Sequence, residues 1–165
     1  MADANMKSKA KVVYNDIIAM FDQIGWKYNA FDEQLRIETG MNTTKASGVA
    51  IAIYFDCDKE YVHFGLRLPL TFSSDKKVAL AVAVCVANPG GGLGHFNLYI
   101  DKSDSFIQHS CKISYKGDSK ISKDVFMRCL SDAINRIDMY YDSFKSLADG
   151  TMTIADFLNN ESVSF

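Results

Sequence analysis

The chain has 165 residues, 48% of them hydrophobic and 23% charged, with 2 prolines and a net charge of −2. A chain this long buries roughly 70% of the surface it exposes when unfolded. One domain over residues 1–165, with an ordered core of about 7–158, is therefore expected, and a collagen, a disordered tail or a small disulfide-stapled scaffold is excluded. Lys and Arg number 18 against 20 for Asp and Glu, so there is no basic field to hold a nucleic-acid backbone. The longest apolar run, Val78 to Ala87, falls short of the roughly 20 residues of a membrane span. Met1 to Lys11 lacks the apolar stretch of a signal peptide, which makes the cytoplasm the expected location.

From Ala10 to Ile24, Ala10, Val13, Tyr14, Ile17, Phe21 and Ile24 recur at three- and four-residue steps, an amphipathic helix that Gly25 can end. Trp26 to Glu38 reads as extended with a turn, and Gly40 to Gly48 as polar loop. Val49, Ile51, Ile53 and Phe55 alternate with Ala50, Ala52 and Tyr54. Val62, Phe64, Leu66 and Leu68 repeat the pattern, so two strands form a hairpin about the turn Asp56 to Glu60. In Ser74 to Asn88 the valines share one parity, yet four alanines, a possible Ser74–Asp75 cap and the stop before Pro89 favour a buried helix. Phe96, Leu98 and Ile100, then Ile107 to Tyr115, make a second hairpin. Ser122 to Ala148 carries Phe126, Leu130, Ala133, Ile134, Ile137, Tyr141, Phe144 and Ala148 at helical spacing. Gly150 ends that helix, and Thr153 with Asp156 can cap a short last one through Leu158.

Chemistry is sparse. The cysteines at 57, 85, 111 and 129 contain no CxxC pair; Cys85, Cys111 and Cys129 read as small hydrophobes. Cys57 sits between Asp56 and Asp58, whose charges should raise its thiol pKa. The glycines of Pro89 to Gly94 follow a helix instead of preceding one, the wrong order for a phosphate cradle. The turn from Asp56 fails as a calcium loop, with Tyr61 where glycine is required and Arg67 where the bidentate glutamate belongs. His109 has core parity and reads as a buried histidine bonded to backbone. No catalytic residue, cofactor or metal ligand is assigned. The alternative, a small metal- or ligand-dependent enzyme using His63, His95 and the glycine loop, needs the two histidine strands side by side in register. The parity opposite the apolar one holds Tyr54, Tyr61, His63, Arg67 and Tyr99, residue types that protein interfaces favour; these five form the candidate interface.

Taken in order, these elements resemble the YbjN family, which shares its fold with the type III secretion chaperones. The resemblance rests on the helix leading to Gly25-Trp26, the hairpin ending in Leu68-Pro69 and the helix end Val86-Ala87-Asn88. It continues through Gly94-His95-Phe96-Asn97-Leu98 and Asp101 to Asp104, and finishes with Gly150 and Thr153. It implies an α+β fold with helices on one face of an antiparallel five-stranded sheet, in the order α-β-β-β-α-β-β-α. It also implies a non-enzymatic binder or regulator, a homodimer, with a protein or peptide client in the chaperone branch. The chain departs from the family in a longer connection, Pro89 to Gly92, and in carrying Gln108-His109 where an arginine is common.

Overall fold

The computed structural model describes residues 4–89, 92–101, 104–117 and 120–161. They form α1 (Ala4–Gln23), β1 (Asn29–Phe31), β2 (Arg36–Met41), β3 (Val49–Asp56), β4 (Tyr61–Arg67), α2 (Lys77–Ala87), β5 (Gly94–Tyr99), β6 (Phe106–Ser114), α3 (Lys123–Asp149) and α4 (Ile154–Glu161). The fold is α+β. Its antiparallel sheet has 6 strands in the order β1-β2-β3-β4-β6-β5, one more than expected. The extra strand comes from Trp26 to Glu38, which holds β1 and the start of β2 about a 3-10 turn at Asp32–Gln34, closed by Leu35 in the left-handed region at φ 45°; β2 then runs on to Met41, two residues into the expected loop from Gly40.

One face of the sheet is covered. Ile51, Ile53 and Phe55 of β3, Val62, Phe64 and Leu66 of β4 and Ile107, Cys111 and Ile113 of β6 are all buried there. Tyr14 of α1 meets Phe55 edge-on at 5.5 Å, and Phe126 of α3 bridges Phe21 and Phe64 at 5.6 and 5.0 Å. The buried side of α3 is wider than one stripe. Cys129, Arg136, Tyr140 and Leu147 are buried as well: Cys129 lies beside Cys111 of β6, Tyr140 meets Phe96 of β5 edge-on at 5.9 Å, and Arg136 reaches the Ala87 carbonyl of α2.

Local signals set most helix ends. Gly25 at φ 68° closes α1, and Gly150 at φ 76° closes α3. Val125 donates its N–H to the Ser122 hydroxyl at 3.3 Å at the start of α3, and Thr153 and Asp156 cap each other reciprocally before α4. The start of α2 differs from expectation: Ser74–Lys76 is a 3-10 turn, and no Ser74 or Asp75 side chain caps the helix. There the Lys76 N–H bonds the Ser73 carbonyl at 3.1 Å, so the turn itself satisfies an amide that a cap would have served.

Nor is α2 buried all round. Leu80, Ala83, Val84 and Ala87 face the core, while Val78, Val82 and Cys85 face outward, with Val78 75% exposed. The even parity of the valines concealed this: at 3.6 residues per turn, half of them must point away from the body. Cys85 is correspondingly exposed and is no core hydrophobe, whereas Cys111 and Cys129 are buried.

Two contacts from α3 hold the connection after α2: Arg136 donates to the Ala87 carbonyl, and the Leu93 N–H donates to Asp132 at 2.8 Å. Gly90 and Gly91 of the glycine cluster lie outside the described residues. The Asn88 side chain lies along β5 and bonds both backbone groups of Phe96, accepting from its N–H at 2.7 Å and donating to its carbonyl at 3.0 Å. The middle of this outer strand is thereby closed to further pairing.

Candidate functional site: the open face of the sheet

The other face carries no helix. Register aligns its residues in rows, because side chains two apart on a strand share a face and directly paired residues stand about 5 Å apart. One row runs Phe31, Arg36, Tyr54, His63 and Lys112 across five strands. The next holds Glu38, Ala52, Gly65, Ser110 and His95, and the one beyond it Gly40, Ala50, Arg67, Gln108 and Asn97.

In the middle of these rows lie Gly40, Ala50, Ala52 and Gly65. Four small residues on three adjacent strands sink the surface into a trough of about 690 Å³. Its walls are large. On one side Arg67 stacks on Phe106 at 4.3 Å and holds Asp104 through two parallel bonds of 2.7 and 2.9 Å, while Tyr99 stacks on the far side of the platform, 4.8 Å from Phe106. At the end stand Glu38 and Tyr54, and behind them Arg36 lies between the rings of Phe31 and Tyr54, at 4.7 and 6.0 Å, and is paired with Glu38. Paired and stacked side chains keep this rim in place without a partner.

Beyond the Tyr54–His63 ridge is a second depression of about 290 Å³, bounded by Tyr54, Asp56, Lys59, Tyr61, His63 and Lys112. Burial, followed by the charges of Lys112 and His95, holds the His63 imidazole below the usual histidine range. At neutral pH it is therefore uncharged, a hydrogen-bonding group beside two lysines.

All five candidate residues lie on this face, in two groups. Tyr54, Tyr61 and His63 surround the smaller depression; Arg67 stands at the opposite wall of the trough, with Tyr99 outside it, stacked on Phe106. Tyr54, Tyr61 and Tyr99 are 45%, 37% and 40% exposed, so their rings are available to a neighbouring molecule. The trough floor, Phe106, Arg36 and Lys112 were not singled out from the sequence. Ala50, Ala52 and Gly65 had the right parity, but only the pairing register makes them neighbours.

The histidine pair of the alternative reading is not brought together. β6 lies between β4 and β5; Lys112 stands opposite His63 and Ser110 opposite His95. Among the described residues no group of three His, Cys, Asp or Glu side chains could hold a metal ion. His109 is fully buried, but neither ring nitrogen finds a hydrogen-bond partner among the described residues, in place of the expected backbone bond. Its ring is instead fixed by packing, edge-on to Phe96 at 5.0 Å. Burial raises the Cys57 thiol pKa, and the charges of Asp58 and Asp56 add to it; burial also pushes Cys111 up to about 12, with Cys129 beside it. Neither thiol is poised as a nucleophile.

No protein-family model and no curated protein matches the chain. Among solved structures it is similar to YbjN of E. coli, a candidate transcription regulator, with a TM-score of 0.58 at 10% identity over 76% of this chain and 86% of that one. The ExsC–ExsE complex also aligns, with a TM-score of 0.49 at 10% identity over 84% of this chain and 93% of that one. No helix of the described residues is long and apolar enough to cross a membrane. The similarity to YbjN is one of fold: a YbjN-type α+β sheet with one face covered by helices and the other bare.

Proposed function

We propose that the chain is a one-domain, non-catalytic protein-binding module, a regulator or chaperone of the YbjN type, whose open sheet face receives a partner chain. The observation that carries this reading is the built relief of that face: a trough floored by glycine and alanine and walled by the exposed Tyr54 and by Arg67 stacked on Phe106. Aromatic and arginine anchors around a recess are the anatomy of an interface core. Four free thiols suit a reducing, cytoplasmic setting.

A second surface supports a homodimer. Lys77 is the only charged residue of α2, and the outward stripe Val78, Val82, Cys85 is uncharged. Residues near a twofold axis meet their own copies, so charge there repels itself and a neutral stripe does not. Assigning the dimer to α2 leaves the sheet face for the client. An interface of about 800 Å² per partner is the standard size for a stable pair.

Binding is tested by comparing proteins retained by the wild-type chain with those retained by Ala52→Arg, which fills the trough. Partners lost from the variant alone support the module; identical retention refutes it. The dimer is tested by light scattering at tens of micromolar. A wild-type dimer that dissociates in Val82→Asp is expected, and a monomeric wild type would remove the dimer.

A further inference from the structure

The two depressions differ in chemistry, and the difference specifies what a client must carry. The trough floor of Gly40, Ala50, Ala52 and Gly65 offers no charge and no long side chain; of the charged residues on its walls, Glu38 and Arg67 are already paired with Arg36 and Asp104, and Lys27 stands on the β1 side, so the floor takes a bulky apolar group. The smaller depression is lined by Lys59 and Lys112 against a single carboxylate, Asp56, which lies 3.6 Å from Lys59. Lys112 pairs with no carboxylate among the described residues. Tyr54 and Tyr61 border the same recess, and a phenol is a further kind of donor for an anion. The trough centre at Ala52 and the cationic recess at Asp56 are separated along β3 by about 14 Å of strand at its rise of about 3.4 Å per residue.

Resting on the reading of this face as a protein-binding surface, we propose that its client is an extended segment of another protein in which a bulky apolar side chain and a carboxylate stand four residues apart, so that both point to the same side. The apolar group fills the trough, the chain crosses the Tyr54–His63 ridge, and the carboxylate reaches Lys112 and the two tyrosines. The chain's own edges do not compete for such a segment. Asn88 occupies the middle of β5, and β1 is 3 residues long, so lamination over the face is the open route.

A display library of random short peptides, selected separately on the full wild-type chain, on Lys112→Glu and on Ala52→Arg, tests this. The wild type should enrich sequences with Trp, Phe or Leu four residues from Asp or Glu. Lys112→Glu should exchange the acidic preference for Lys or Arg, and Ala52→Arg should retain few of these peptides. A selected peptide should bind Lys112→Glu about tenfold more weakly by fluorescence anisotropy, in a salt-dependent way. Lys112 is exposed, so its variant folds and carries the test even if Ala52→Arg does not. Peptides held by the trough without an acidic preference, or with one that Lys112→Glu leaves unchanged, would overturn the inference while the binding module stands. Failure to enrich any peptide would overturn it too, with the comparison of retained proteins deciding the module on its own.

Discussion

The two faces of the sheet are made from the same strands yet are built in opposite ways. On the covered face, large side chains meet in the middle: Phe64, Phe126 and Phe21 form a chain of rings beneath α1 and α3. On the open face the middle is small and the edges are large, with Ala50, Ala52 and Gly65 enclosed by Arg67, Phe106 and Tyr54. A face that completes its own core needs its bulk at the centre, where most neighbours are; a face that receives a foreign side chain needs its bulk at the rim. The contrast also appears in the polar groups. Arg67 on the open side is fully paired with Asp104, while His109 on the covered side has no partner among the described residues and stays in place by packing alone.

Substitutions that treat the two faces differently test this contrast. The largest effect is expected for Leu130→Asp, which places an unpaired charge under α3, where Leu130 is buried. A loss of about 4 kcal/mol or more should unfold the domain, read by circular dichroism. A folded variant melting like wild type would mean that α3 does not seal this face.

Next is acid. Burial first, and the Arg136 charge second, lower His109 from 6.5 to about 4 in the folded state. The unfolded chain therefore takes up a proton that the folded chain refuses, and stability should fall as pH drops from about 6.5 to about 4, then level off for this group. The loss is about 3 kcal/mol, measurable as urea midpoints across that range. His109→Leu should flatten the slope. His63→Gln on the open face should leave most of it, and the reverse result would misplace the buried histidine.

Two glycines sharpen the comparison further. A Cβ at Gly94, on the covered side, would run into the Ser110 carbonyl and the His109 ring, neither of which can yield, so Gly94→Ala should cost about 2 kcal/mol. A Cβ at Gly65, on the open side, first meets the end of the Gln108 side chain, which can swing away at the cost of its 3.0 Å bond to the Ser110 hydroxyl. Gly65→Ala should cost under about 1 kcal/mol by the same urea measurement. Smallest of all, Tyr54→Ala and Lys112→Glu should stay within about 0.5 kcal/mol of wild type while weakening client binding.

Much of the covered face could be read directly from the chain. The steps Val13, Ile17, Phe21 and Phe126, Leu130, Ala133, Ile137 repeat at the helical period, and the parity of Ile51, Ile53 and Phe55 marks a strand with one dry side. Periodicity reports burial against a partner, so it fails where the partner is unknown. In α2 both parities were apolar, and only the neighbouring α3, α4 and β5 decide that Leu80 and Ala83 go inward and Val82 outward. β1 has just 3 residues, too few to show alternation. The candidate residues of the open face had a readable parity. Their separation into two groups around a recess depends on which residue of β3 pairs with which of β2 and β4, and no local pattern encodes that register.

The Asn88 amide that spans Phe96 also has a chemical lifetime. Asparagine commonly ages to aspartate when the next backbone nitrogen attacks the side-chain amide and ammonia leaves. Here that nitrogen belongs to Pro89, which carries no hydrogen and is already fully substituted. The ring closure is blocked, and with it the conversion to a carboxylate that could accept from the Phe96 N–H but donate nothing to the Phe96 carbonyl. The residue that keeps the sheet from growing sideways is thus protected from the ordinary decay that would undo it.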